Sequence, residues 1–372
     1  MKGIQMVNLV SQYNRFKTSI DSRVSSVFEH GKFVQGPEVK EFENELAKFL
    51  GVDYVVTCGN GTDALQIAFM AMDFEPGSEV IIPSFAYAAL PEVLLLLNLN
   101  PVFVDVYEDT FLIDIEQVKK NIGPKTVAIA PVHLFGQNAN MEALHRIAEE
   151  NNLKLIEDAA QSLGSWYCSE NIHGASGCIG DIGISSFFPS KNLGCFGDGG
   201  AIFTNDIELA EKARKIANHG QSKKYHHELV GLNSRLDTMQ AAILLAKLPH
   251  LESFIHGRIE VAKRYQSELS KINSIKLPKR DSNGTHSYHQ YTIKLENSMV
   301  RDNLAAHLNS KNISSMIYYP LPLHRQKAYS VDADLPVSVN LCNTVLSLPI
   351  CPELTSVEQI EIINEIKSFF NQ

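Results

Sequence analysis

The chain has 372 residues, 44 % of them hydrophobic and 20 % charged, with a formal net charge of −9. That length and balance describe a folded protein with a substantial core and room for two domains, and the acidic surplus argues against general nucleic-acid binding. The longest aliphatic run, Val93 to Leu97, falls far short of the roughly 20 residues of a membrane span, and Met1 to Lys17 has no apolar signal core, so a soluble, cytoplasmic protein without membrane contact is expected. Cys58, Cys168, Cys178, Cys195, Cys342 and Cys351 form no C-x-x-C pair and no zinc-like spacing, so reduced thiols and no metal are expected.

In chain order, Met6 to Glu29 reads as a helix, followed by the Gly36-Pro37 turn and a helix over Val39 to Leu50. Strand-like Tyr54 to Thr57 then leads through the glycine-punctuated turn Cys58-Gly59-Asn60-Gly61-Thr62-Asp63 into a helix at Ala64 to Met72. Glycines let the backbone approach a ligand, and the first amides of a helix carry partial positive charge, so Gly61 and Thr62 make a phosphate cup. The turn is a near-match to G-x-G-x-x-G with Ala64 in the third glycine's place, and G-x-x-x-x-G-K-[ST] does not occur, so nicotinamide and P-loop readings lose ground.

Further strands are expected at Glu79 to Pro83, Pro101 to Val104, Val127 to Val132, Leu153 to Glu157, Ile182 to Phe187 and Ala201 to Thr204, with helices at Met141 to Asn151 and Ile207 to Ala217. Apolar strands alternating with helices predict a mainly parallel sheet covered on both faces, with ligands at the strands' carboxyl ends. Thr62, Tyr87, Asp158 and Ser186 all fall near such ends. Arg214, Lys215, Lys223 and Lys224 read as a solvated helix end followed by a loop, and His226-His227 as a loop near the mouth of the site. After Leu248 the pattern changes to a long charged helix over Glu252 to Ile272, a turn-rich stretch at Lys279 to Thr285, and strand and helix pieces from His289 onwards. The expected division is a large domain, 1–248, and a smaller α+β domain, 249–372.

Two residues carry chemistry in this frame. Lys191 stands among small and apolar residues, after a strand and before the turn Gly197-Asp198-Gly199-Gly200. Desolvation lowers an ammonium's pKa and frees its amine for Schiff-base chemistry, whereas a lone lysine in a glycine-rich loop is equally a surface residue. Asp158 projects from the end of an apolar strand in Leu153-Lys154-Leu155-Ile156-Glu157-Asp158, as a helix cap or as the buried partner of a cation such as a protonated pyridine nitrogen. Taken together, the lysine and the acid favour pyridoxal phosphate.

Several ordered motifs then resemble one family: Asn60-Gly61-Thr62, Pro83-Ser84-Phe85-Ala86-Tyr87, Glu157 to Ser162, Ser186 to Lys191, Gly197 to Gly200, Asn233-Ser234-Arg235-Leu236-Asp237 and Tyr319-Pro320-Leu321-Pro322-Leu323-His324. Across nearly its whole length the chain is similar to the fold-type I pyridoxal phosphate enzymes, specifically the DegT/DnrJ/EryC/StrS sugar aminotransferases. The resemblance implies an aspartate-aminotransferase-like α/β fold with a mostly parallel seven-stranded sheet in the large domain. It implies that Lys191 holds the cofactor as a Schiff base and later moves the substrate proton. It also implies that Asp158 pairs with the pyridinium nitrogen, that Tyr87 stacks on the ring, and that Gln161 lies near the ring hydroxyl. Gly61, Thr62 and Ser186 would bind the phosphate, and Asn233 would reach it from the neighbouring subunit of a homodimer. Some relatives carry histidine for the lysine and act as dehydrases; Lys191 favours transamination. Ala86 stands where many relatives have threonine, which bears on the sugar-facing side.

The resemblance further implies L-glutamate as amino donor and a nucleotide-linked keto-sugar as acceptor. The segments Phe187 to Lys191, Gly197 to Asp206, His219 to His227 and Asn233 to Asp237 look most like the branch acting at C3, which points to UDP-2-acetamido-2-deoxy-3-keto-glucuronate for surface polysaccharide. A dTDP-3-keto-6-deoxyhexose, UDP-3-keto-N-acetylglucosamine and a non-catalytic regulatory protein of the same fold are the alternatives. Arg235 would meet a sugar carboxylate or pair with Asp237, and Tyr318, Tyr319 and His324 would line the sugar pocket or pack an interface. No G-x-S-x-G elbow occurs.

Overall fold

A computed structural model describes residues 3–370; Met1, Lys2, Asn371 and Gln372, the extreme ends of the two expected domains, lie outside the described residues. Seven strands form one sheet: β1 (Tyr54–Cys58), β2 (Glu79–Pro83), β3 (Asn100–Val104), β4 (Thr126–Ile129), β5 (Lys154–Asp158), β6 (Ile182–Ser186) and β7 (Gly200–Thr204). Their spatial order is β1-β7-β6-β5-β4-β2-β3. All neighbouring pairs are parallel except those of β7, which runs antiparallel to both β1 and β6.

The sheet is apolar on both faces because successive strand residues point to opposite sides. Val56, Val80, Ile82, Ile156 and Ile202 pack with α3 (Gly61–Met72), α4 (Ala89–Leu96) and α6 (Ile207–Ala217). On the other face Ile81, Ile129 and Leu155 meet α5 (Met141–Asn151), while Val55, Ala201 and Phe203 meet α2 (Pro37–Leu50) and α7 (Thr238–Lys247). The N-terminal helix α1 (Leu9–His30) lies against α7 through Phe16 and Ile20.

Several boundaries differ from the expected ones for local reasons. The strand expected over Val127 to Val132 stops at Ile129, since Pro131 has no amide to donate, and Val132 keeps only an isolated bridge to Asp158. Helix α3 starts three residues early because the Asn60 side chain caps it, accepting from the Asp63 amide at 2.8 Å. His226-His227 is a strand of a short exposed hairpin with Gln221–Lys223 rather than a loop. Arg214 stays exposed at its helix end, as expected, while its guanidinium also reaches inward to donate to the buried Glu43 carboxylate at 3.0 Å and to the Val55 carbonyl at 3.1 Å.

A second core gathers β8 (Tyr291–Lys294) and β9 (Val345–Leu348), an antiparallel pair, with α9 (Ser298–Ser310) and α10 (Ser356–Phe370). Helix α8 (Leu251–Leu269) serves both cores: Leu251 and Ile255 face the first, Val261, Tyr265 and Leu269 the second. Ile4, near the N-terminus, bridges Ile313 and belongs to this second core.

Candidate functional site

At one edge of the sheet the parallel strands end together. The loops after β1, β2, β5 and β6, joined by the start of β7, enclose a cavity of about 460 Å³. Gly61, Thr62, Tyr87, Asp158, Gln161, Ser186, Lys191, Tyr318 and Tyr319 all line it. Nine residues spread over more than 250 positions of sequence thus meet in one place.

The amino-terminal end of α3 is one wall. Asn60 satisfies the Asp63 and Ala64 amides through its side chain and carbonyl, so the amides of Gly61 and Thr62, which no helical carbonyl can reach, remain for a ligand. Gly61 is required by close approach: a Cβ there would lie 2.7 Å from Ser186 Cβ. Gly200 is equally confined, its would-be Cβ 2.3 Å from the Asn60 carbonyl oxygen. This narrow cup, with two free amides and the Ser186 hydroxyl, fits a phosphate group.

Asp158 ends β5 on the opposite wall. Its Oδ1 accepts from the Ala160 amide at 3.0 Å, and Oδ2 takes no hydrogen bond from the described residues. Burial raises its pKa; the Ala160 hydrogen bond, then the nearby Lys191, partly offset this. Behind it stands a pair that sequence reasoning passed over. Glu157, fully buried, accepts from His133 Nε2 at 2.8 Å and from the amides of Gly177, Ile179 and Gly180 at 3.0, 2.6 and 2.6 Å. His133 Nδ1 accepts from the Ala139 amide at 3.1 Å, which puts the neutral ring's proton on Nε2, and the His133 amide donates to the Asp158 carbonyl at 3.0 Å. The acid that faces the cavity is therefore anchored through its backbone.

Lys191 follows β6 in a turn closed by its own amide on the Phe188 carbonyl at 2.8 Å. Burial brings its pKa down to about 8, against the opposing pull of Asp158. At pH 7 such a lysine is about one-tenth free amine, a far larger share than an ordinary lysine has, which suits carbonyl chemistry. Gln161 is fixed at both ends, its Oε1 accepting from the Phe135 amide at 2.8 Å and its Nε2 donating to the Tyr319 hydroxyl at 3.1 Å. Burial pushes the Tyr319 phenol up, so it stays protonated. Tyr87, 62 % exposed, stands 6.4 Å from the Tyr319 ring and offers a flat face at the mouth. Phosphate cup, unpaired acid oxygen, polar amide, aromatic face and depressed lysine fit pyridoxal phosphate in each of its functional groups.

Three expected residues lie elsewhere. Asn233 is exposed and Arg235 donates to the side chains of Asn218, at 3.2 Å, and Asn233, not to Asp237. Arg235 lines a separate cavity of about 210 Å³ with Lys40, Glu43 and Arg214. His324 is buried behind the wall, its Nδ1 2.6 Å from Ser84 Oγ. Conversely, Asn60, Phe188, Ser190, Asp198, His289 and Gln290 line the cavity without having been assigned there. Asp198 sat in a glycine turn after the lysine, a signal that could have been used; His289 and Gln290 had none.

The whole chain has relatives among known proteins. The model of the DegT/DnrJ/EryC1/StrS aminotransferase family matches residues 14–367. UDP-2-acetamido-2-deoxy-3-oxo-D-glucuronate aminotransferase of Pseudomonas aeruginosa is 44 % identical over 97 % of this chain and 98 % of that protein. A pleiotropic regulatory protein of Geobacillus stearothermophilus is 40 % identical over 99 % of each. The crystal structure of S. venezuelae DesV in complex with a ketimine intermediate superposes with a TM-score of 0.95 over 100 % of both chains at 36 % identity. The chain belongs to the DegT/DnrJ/EryC1/StrS aminotransferase family and is a pyridoxal-phosphate-dependent aminotransferase.

Proposed function

We propose that the enzyme moves an amino group from L-glutamate to C3 of a nucleotide-linked 3-keto-sugar, UDP-2-acetamido-2-deoxy-3-keto-glucuronate, in the cytoplasmic synthesis of bacterial surface polysaccharide such as the O-antigen of lipopolysaccharide. The observation that carries the transfer chemistry is the meeting of Lys191 and Asp158 in one cavity with a phosphate cup. The choice of sugar is supported by similarity to the P. aeruginosa enzyme along 97 % of the chain. The intact lysine and acid weigh against a purely regulatory role.

Bound pyridoxal phosphate supplies an electron sink conjugated to the substrate nitrogen. Lys191 Nζ would hold the cofactor, and its free amine would take and return the proton at the substrate's reacting carbon. The Asp158 carboxylate would pair with the ring nitrogen, whose cationic charge would keep the acid ionised despite burial. Gln161 Nε2 would meet the ring oxygen, Tyr87 would cover the ring, and the Gly61 and Thr62 amides with Ser186 Oγ would hold the phosphate. In a homodimer the exposed Asn233 reaches the partner's phosphate cup. Arg235 is then placed for the sugar carboxylate, while Tyr318 and Tyr319 line the sugar end, with His324 supporting that wall through Ser84. In this reading 1–248 and 249–372 are the two domains, with α8 packing into the cores of both.

The test is a spectrum of the purified protein with pyridoxal phosphate. L-glutamate should bleach the visible band of the bound cofactor and the 3-keto-uronate alone restore it, whereas Lys191→Ala should show no such band. Restoration by a neutral or 6-deoxy keto-sugar would move the substrate; a band that glutamate leaves unchanged would overturn the donor.

A further inference from the structure

His289 is the buried titratable group of the cavity to which no part of this chemistry has been assigned. It is 6 % exposed and lines the cavity with Lys191. Its Nδ1 is shut away from solvent without a hydrogen-bond partner, and no described residue bonds to its ring. The backbone at this point is clamped. Arg258, buried on α8, donates Nη1 to the carbonyls of His289 at 3.2 Å, Tyr288 at 3.3 Å and Ile350 at 2.9 Å, tying the cavity wall to the end of β9.

Burial and the nearby Lys191 and Arg258 cations hold the imidazole well below its ordinary pKa, so the ring is neutral at pH 7. A neutral ring carries one proton. Placed on Nδ1, that proton would be a buried donor without an acceptor; placed on Nε2, it borders the cavity and can be used by a ligand. The tautomer that leaves the smaller penalty presents an N–H to whatever sits beside Lys191.

Resting on the amino-donor reading above, we infer that His289 is a substrate-binding residue whose Nε2–H donates to the α-carboxylate of the amino donor. The geometry follows from the reaction. Lys191 must reach the donor's α-carbon, and the α-carboxylate is one bond from that carbon, so it lies within the reach of groups that neighbour Lys191. Arg258 is the positioning residue for His289.

The holoenzyme supplies a readout that does not depend on turnover. α-Methyl-L-glutamate has both carboxylates but no α-proton to lose, and 4-aminobutyrate is glutamate without the α-carboxylate. Their dissociation constants are measured by absorbance for wild type, His289→Leu and His289→Asn, with cofactor affinity as the control. His289→Leu should weaken α-methyl-L-glutamate about tenfold or more and 4-aminobutyrate less than twofold, a hydrogen bond to a carboxylate being worth that much. His289→Asn, which keeps a donor on a shorter side chain, should fall between. Equal weakening of both ligands, loss of cofactor affinity, or no change would overturn the assignment to His289. Failure of wild type itself to bind α-methyl-L-glutamate would instead remove the donor reading and this inference with it.

Discussion

Replacing Gly61 with alanine separates the stability of helix α3 from the use made of its first turn. Gly61 does not have a positive φ, so alanine is compatible with the backbone, and alanine in place of glycine at a helical position is worth roughly 0.5–1 kcal/mol. Against this, the new Cβ falls 2.7 Å from Ser186 Cβ and 3.2 Å from its Oγ, so the end of β6 must move, at about 1–3 kcal/mol for overpacking. The apoprotein should therefore lose little stability, about 0–2.5 kcal/mol by difference. The cofactor should lose much more, because the displaced hydroxyl and the filled cup weaken hydrogen bonds to a charged phosphate, each worth about 1.5–3 kcal/mol. The dissociation constant for pyridoxal phosphate, from absorbance titration of the apoprotein, should rise about ten- to a hundredfold. A value within threefold of wild type, with urea unfolding also unchanged, would refute the cup.

Other consequences follow from the same wall of residues. Lys191, with its pKa lowered to about 8, is mostly free amine above that pH, so capture of pyridoxal phosphate by the apoprotein should accelerate about tenfold from pH 7 to 9 and then level off; a rate still climbing tenfold per unit beyond pH 9 would mean an unshifted lysine. Asp158→Asn should keep cofactor affinity within about tenfold yet slow the single-turnover reaction with L-glutamate by ~10²–10³, measured by stopped flow, because the amide cannot balance a ring cation; a slowing under fivefold would exclude that pairing. Glu157→Gln removes one acceptor oxygen, and either choice orphans two donors, the buried His133 and Gly177 or the half-buried Ile179 and Gly180. At about 1–3 kcal/mol per orphan, urea unfolding should report a loss of about 2–6 kcal/mol, and a loss below about 1 kcal/mol would show that the pocket relaxes around the amide.

What the sequence made legible is what short-range chemistry decides. Met141–Asn151 and Ile207–Ala217 were readable to the residue because Asn140 and Asp206 cap them locally, through the Ala143 amide and the Glu208 and Leu209 amides. The strands were readable from their apolar runs, and Lys191, Asp158 and the Gly61-Thr62 turn from the company they keep. What escaped depends on distant partners. The Arg214 to Glu43 bond spans 171 positions, so nothing near Arg214 betrays that this exposed guanidinium also reaches a buried carboxylate. His289 is held at the cavity by Arg258 on one helix, which donates at once to the His289 carbonyl and to that of Ile350 after one strand. His133 and Glu157 look like two unrelated polar residues until the sheet sets them 2.8 Å apart.

The antiparallel strand β7 imposes a timetable on synthesis. In the sheet β1 pairs with β7 alone, so the strand that leads into the Gly61 turn joins the sheet through residues 200–204. A ribosome must therefore release almost 150 further residues after β1 before that strand can find its place, a closure of high contact order. Until then Val55 and Val56, both fully sequestered in the finished protein, have no sheet to join. A nascent or truncated chain ending before Gly200 could carry Lys191 and Asp158 and still be blind to the cofactor.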